Sequence, residues 1–171
     1  MPEKKRPRKR ARPKASRPYM PDYGILDARS GRGLLPWSWA TQRLAISHNY
    51  WIATTRPDGT PHAMPVWGVW LDKKFYFSTG RNSRKARNLA VNPKCVVSTE
   101  RANEAVIVEG IAEETPRPSR LRKAARAYKK KYDWELDPSL GPIFVVRPRV
   151  AFGFIENPGE FTGTATRWRF E

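Results

Sequence analysis

Thiols, imidazoles and acids are scarce in this chain. Its one cysteine, Cys95, excludes an intramolecular disulfide and any zinc site built on paired thiolates, and fits a reducing, intracellular home. The two histidines, His48 and His62, stand apart without an HxxxH or HxxE pattern, so a metal centre would have to recruit remote carboxylates. A G-x-S-x-G elbow, a Walker loop and a GxGxxG fingerprint are all missing; a Ser-His-Asp arrangement assembled in space stays open. No apolar run approaches the roughly 20 residues needed to span a bilayer, which argues against an integral membrane protein. Nor does an apolar stretch follow the N-terminal charges, as a secretory signal would require. The chain carries no self-sufficient catalytic constellation. If it is an enzyme, a cofactor supplies the chemistry.

Positive charge is plentiful. Lys and Arg number 33 against 16 Asp and Glu, a formal net charge of +17 over 171 residues. Residues 1–20 hold nine basic side chains and one acidic, with prolines at 2, 7, 13 and 18 that interrupt any helix. They read as a basic disordered tail, either solvated or a nonspecific hook for nucleic acid or another anionic surface. Only Tyr19 offers a stacking platform there, so nucleic acid enters as a partner through the tail alone. The remainder, 39% hydrophobic over the whole chain, can bury a core.

Residues 21–36 form an irregular lead-in, and 37–171 a folded domain. Trp37–Ser47 has helical spacing, with Trp37, Ala40, Leu44 and Ser47 on one face. Tyr50–Thr55 is a strand, and Arg56-Pro57-Asp58-Gly59 a turn: proline presets φ and glycine accepts a positive one. From Pro61 to Leu71 a second extended run begins at an edge or bulge, because Pro65 cannot donate to a ladder. Beyond it, Val66, Gly68 and Trp70 face one side and Trp67, Val69 and Leu71 the other. Both sets are apolar, so this strand is covered on both sides, with a partner subunit or planar ligand expected outside. Further strands are read at Phe75–Thr79, Cys95–Thr99, Ala105–Glu113, Phe144–Val146, Arg149–Ile155 and Thr164–Phe170. Helices are read at the end of 80–90 and from a Ser119 cap to Tyr132, the latter with Leu121, Ala124, Ala125, Tyr128 and Tyr132 as its apolar stripe. Its seven Lys and Arg residues between 120 and 131 read as a solvated face or an anion-attracting rim. Short strands joined by turns favour a small antiparallel barrel with two or three helices over a doubly wound sheet.

The candidate for cofactor capture is Ser78–Leu89, STGRNSRKARNL. Two hydroxyls, Ser78 and Thr79, close a strand; Gly80 follows, then a cationic helix start. Ser83 and the first-turn amides can donate to a phosphate, Arg84 offers a bidentate fork and Lys85 a point charge. A basic helix start that is merely solvated has the same composition, and the segment alone does not choose.

With these residues in view, the chain resembles the pyridoxamine 5′-phosphate oxidase-like flavin and deazaflavin oxidoreductases. WIATTRPDGTPHAMPVW at 51–67 is similar to their first strand and turn, and SRKARNL at 83–89 after FYFSTG to their phosphate-binding segment. TATRWRF at 164–170 looks like the last strand of the deazaflavin branch. The resemblance covers roughly residues 36–170. It implies a mainly β (α+β) split β-barrel, a homodimer with two cofactor sites at the interface, and FMN or coenzyme F-420 as cofactor, with a lean to F-420. It places Arg84 and Lys85 on the phosphate, Ser83 and Asn88 nearby, and Ser78 and Thr79 beside the phosphate or ribityl chain. Met64, Pro65, Val66 and Trp67 would run under the ring, while Arg167 and Trp168 would reach the partner's site. It further implies a cytoplasmic oxidoreductase passing hydride to or from a small organic substrate, with no protein nucleophile. The histidine and arginine expected near the C-terminus of a true pyridoxamine phosphate oxidase have no counterpart after His62. A non-catalytic flavin- or haem-binding module is the alternative the fold also allows.

Overall fold

The computed structural model describes residues 12–115 and 118–171, with the side chains of 116–120 left aside. In chain order the elements are β1 (Lys14–Ser16), α1 (Trp37–Ile46), β2 (Tyr50–Thr55), β3 (Pro61–Val66), β4 (Gly68–Leu71), β5 (Lys74–Ser78), α2 (Arg84–Val91), β6 (Lys94–Thr99), β7 (Glu104–Glu114), α3 (Pro118–Tyr132), β8 (Ile143–Ile155), α4 (Phe161–Thr164) and β9 (Thr166–Arg169). Every strand pairing is antiparallel, in the order β1-β9-β8-β7-β6-β2-β3, and β5 joins β4 to β8. The sheet curls without closing, the split-barrel α+β arrangement. β3 ends the path, which is where a strand containing Pro65 can sit without losing a ladder bond.

The long strand β8 organises both lobes. Residues 143–146 pair with β5 and 150–153 with β9, while β7 runs beside nearly all of it with a register shift between Glu109 and Gly110. The sequence divides this strand in two around Pro148. The structure carries it through, because β8 bulges beside that proline, with Arg149 as the extra residue between the pairs Glu109–Val150 and Gly110–Pro148. Inside the barrel, Tyr50, Ile52, Phe75, Phe77, Val97 and Val146 are fully buried. A second cluster around Ala40, Leu44, Val106, Val108, Ala151 and Trp168 joins α1 to the other end.

Four expectations change. The run 61–71 is two strands broken at Trp67, and the outer face of the second is covered by α3: Val69 and Tyr76 pack with Leu121, Ala124 and Tyr128. The apolar stripe predicted for α3 is therefore what makes both faces of β4 apolar, and no partner or planar ligand is needed there. The helices number four among the described residues, since Phe161–Thr164 forms one turn where the last strand was expected to begin. The α3 helix opens at Pro118, so Ser119 lies inside its first turn.

The fourth change concerns the tail. Its first eleven residues lie outside the described part, but Lys14–Ser16 pair with Arg169–Arg167 as an edge strand. Arg17 then donates to the carbonyls of Asp27, Ser30, Gly163 and Ala165 at 2.9–3.2 Å, stitching the lead-in to the C-terminal turn. Burial lowers its proton affinity, Asp27 opposing. Prolines and charge obscured a pairing that depends on residues 150 positions away. Arg17→Ala leaves those carbonyls without their donor and is expected to lower the thermal midpoint by roughly 3–6 °C, whereas Arg12→Ala, exposed before the strand, is expected to leave it in place. Equal midpoints for the two variants in a calorimetric scan would dismiss the anchor.

No helix among the described residues is long and apolar enough to cross a membrane.

Candidate cofactor site at the start of helix α2

The Ser78–Leu89 segment folds as its sequence suggests. β5 ends at Ser78, Thr79 donates its amide to the carbonyl of Pro142, and a turn through Gly80 leads to Ser83. Ser83 caps α2, its Oγ accepting from the amide of Ala86 at 3.2 Å, worth about 1 kcal/mol. The hydroxyl of Thr79 lies 3.1 Å from that Oγ and holds it in place. Ala86 and Leu89 anchor the helix in the barrel core, which turns Arg84 and Arg87 to solvent and leaves Lys85 half-buried. Burial lowers the proton affinity of the Lys85 ammonium, a cost that a bound anion would offset.

Opposite the helix start stands the β2–β3 hairpin. Thr54 and His62 face each other across it, and the fully buried Asn88 of α2 donates from Nδ2 to Thr54 Oγ1 at 3.0 Å. Proton affinity at His62 is lowered by partial burial and then by the charges of Arg56, Lys85 and Arg84. These four cations or would-be cations therefore share one locality. Two of them carry buried nitrogens without a protein partner, Nε of Arg56 and Nδ1 of His62. Packed cationic groups with unused hydrogen-bonding capacity fit a phosphate, which supplies several acceptors and about two negative charges. Arg56 and His62 were missed in the sequence because each has an ordinary local explanation, a turn residue and a lone strand histidine. The available signal was register: the tight turn puts His62 opposite Thr54.

The other predicted residues divide. Ser78, Thr79, Ser83, Arg84 and Lys85 are brought together as expected. Asn88 is near them and fully buried; its Nδ2 braces the helix on β2, while its Oδ1 has no hydrogen-bond partner among the described residues. Met64, Pro65 and Trp67 are exposed along the edge of β3 and the break after it, whereas the Val66 side chain points into the core. Trp168 is removed from any ligand by burial at 1% exposure, with its ring packed over Gly153 and against Trp37. Arg167 points to the opposite face of β9 and donates to Ser16 Oγ from Nε and Nη2 at 3.2 and 3.1 Å. The strand period decides between the two: only one of adjacent residues can face the core.

Cys95 lies in the core with its thiol pushed up to about 12 by burial, an inert side chain.

Comparison with known proteins agrees with this arrangement. No curated protein sequence matches the chain. Among solved structures it is similar to an F-420 reductase, with 26% identity and a TM-score of 0.52 over 64% of this chain and 93% of that one. A FAD-binding protein from Mesorhizobium loti, 18% identical, aligns at a TM-score of 0.57 over 78% and 95% of the two chains. A haem-binding protein from Mycobacterium smegmatis, 20% identical, aligns at 0.58 over 70% of this chain and 54% of that one. The last two show the fold alone. The family model for pyridoxamine 5′-phosphate oxidase matches residues 41–154, a span that runs from α1 through the hairpin, the capped helix and nearly all of β8. A split barrel with its cationic cluster inside that span places this chain in the pyridoxamine 5′-phosphate oxidase family.

Proposed function

We propose that the protein is an oxidoreductase that uses a phosphorylated flavin or deazaflavin, FMN or coenzyme F-420. The observation that carries this is the cluster of Arg56, His62, Arg84 and Lys85 around a capped helix start, with two buried nitrogens awaiting acceptors. Arg84, Lys85, Arg56 and His62 would hold the phosphate, Thr79 and Ser83 the adjoining chain, and the exposed edge of β3 at Met64, Pro65 and Trp67 the ring. When bound, such a ring gives or takes hydride directly, so the protein's part is to bind and orient. The F-420 reductase likeness supports the deazaflavin, and the substrate is a small organic acceptor or donor.

The reading includes a homodimer. One face of the sheet carries a row in register, Pro65, Trp51, Ser98, Ile107, Phe152 and Arg167, with Trp51 half-exposed. A second copy would cover that face, and Arg167 on the same row would then approach the partner's ring edge. A cytoplasmic setting suits the buried free thiol.

The test is titration of apo-protein with FMN and with F-420, following the fluorescence of each ring. Tight binding of one identifies the cofactor, and reduction or oxidation of small acceptors then separates an enzyme from a binding module. Binding of neither overturns the proposal. A pH series sharpens it. Burial and then the neighbouring cations lower proton affinity at His62 in the free protein; a phosphate dianion neutralises those cations and raises it, so binding takes up a proton. FMN affinity is therefore expected to rise severalfold from pH 8 to pH 6.5, and His62→Gln to flatten the profile. A slope that persists in the glutamine variant would assign the proton to another group.

A further inference from the structure

Lys131 behaves unlike the rest of the basic face of α3. Its side chain turns inward beneath the break between β3 and β4, where Nζ donates to Tyr50 Oη at 2.7 Å and to the carbonyl of Gly68 at 3.1 Å. The ammonium stands over the Tyr50 ring at 4.6 Å and near the Tyr132 ring at 5.2 Å. Its hydrogen-bond partners among the described residues are all neutral. Beside it, Tyr132 Oη accepts from the amide of Gly68 at 2.9 Å and offers its proton to the carbonyls of Gly68 and His48. The Tyr132 ring in turn stacks on the Trp67 indole, centroids 4.8 Å apart and planes 7° from parallel. The end of α3 thus grips the residue next to Trp67 by both backbone groups and brings one positive charge there.

Structure alone does not call for that charge. Gly68 is already held by Tyr132, and Tyr50 Oη already donates to the carbonyl of Leu44. Burying an ammonium among neutral groups is costly, and it lowers the proton affinity of Lys131 to about 8, with Glu100 pulling the other way. The groups facing it are Tyr50 of β2, Gly68 of β4, Tyr132 of its own helix and, at longer range, Glu100 after β6. A methionine would fill the space without the penalty.

We infer that Lys131 supplies the positive potential behind the Met64–Trp67 edge and thereby favours the electron-rich, reduced form of a ring bound there. Hydride addition delivers two electrons and one proton, so a neutral oxidised ring gains a negative charge unless it takes a second proton from water. A cation held behind the strand by Gly68 and Tyr50 stabilises that added charge without touching the reacting atoms. Tyr132 positions Gly68, and Lys131 acts on the ring through its charge. The inference rests on the cofactor reading above.

The experiment measures affinities of wild type, Lys131→Met and Lys131→Arg for oxidised and dithionite-reduced ring, with FMN and with F-420, between pH 6.5 and 9.5. In wild type the preference for the reduced ring is expected to decline through about pH 8 as Lys131 loses its proton. The methionine variant should keep its oxidised-ring affinity but lose on the order of tenfold in preference for the reduced ring at pH 7, with no pH break. The arginine variant should keep the preference and lose the break. A methionine variant with the wild-type preference and pH profile makes Lys131 a structural clamp and overturns the inference alone. Wild type that binds neither ring overturns the cofactor reading, and the inference with it.

Discussion

With Arg84 and Lys85 both replaced by alanine, the affinity for FMN is expected to fall by about two orders of magnitude, while the affinity for riboflavin stays where it was. Each residue offers a charged donor to the phosphate, and a charge-assisted hydrogen bond is worth roughly tenfold or more in binding. Arg84 is exposed and half-screened by water; Lys85 is half-buried with lowered proton affinity, and so has more to gain from an anion. The loss in Lys85→Ala should therefore exceed that in Arg84→Ala. Riboflavin is the informative control because it has the same ring and no phosphate. Fluorescence titration of the double variant with both ligands decides the matter: a parallel loss for the two would move the phosphate elsewhere. The fold should not suffer, since Ser83, Ala86 and Leu89 hold α2 in place without either cation.

The second large effect is on stability. Gly68→Ala would put a Cβ 2.2 Å from Cζ and 2.6 Å from Cε2 of Phe75, and 2.8 Å from the carbonyl oxygen of Tyr76. Phe75 is fully buried between Tyr50 and Phe77 and has nowhere to turn, and the third contact is backbone. Relief requires β4 to move away from β5, with a cost of about 3 kcal/mol or more, a drop of roughly 6–12 °C in thermal midpoint. Moving β4 also pulls the backbone of Gly68 away from Tyr132 and Lys131, so the Trp67 fluorescence should shift with the midpoint. Gly80→Ala is the comparison, because nothing lies within 4 Å of a Cβ there and its φ is ordinary. It is expected to change stability by less than about 0.5 kcal/mol. Similar midpoints for the two variants would refute the close-approach argument.

Much of this architecture was legible because it is local. Pro65 marks an edge strand through its missing amide, Ser83 marks a helix start through an oxygen three residues before the amide it accepts from, and the stripe from Leu121 to Tyr132 marks a face. Such signals lie within a few residues of what they specify. Which surface covers which is another kind of information. The doubly apolar pattern announces two covered faces and holds over 68–71, but Trp67 is exposed at a break in the run, and the outer cover, α3, starts about 50 residues later. Trp168 and Arg167 were read as a pair, and strand alternation separates them. Lys131 was read with its neighbours as a solvated charge, and only the fold shows it turning inward to Tyr50 and Gly68. The cationic cluster is half legible for the same reason: Arg84 and Lys85 lie in the motif, while Arg56 and His62 join them across a hairpin.

The pairing of β1 with β9 has a consequence for how the chain assembles. Residues 14–16 emerge from the ribosome about 150 residues ahead of their partners at 167–169. At ordinary elongation rates the first strand waits roughly ten to thirty seconds for a mate. The barrel can close its β2-to-β8 ladder in the meantime, since those segments emerge in sequence, but the seam along β9 stays open until β9 itself emerges. The strand β1 is then made well ahead of the strand it pairs with, and Arg17, bound to the carbonyls of Gly163 and Ala165, closes that seam.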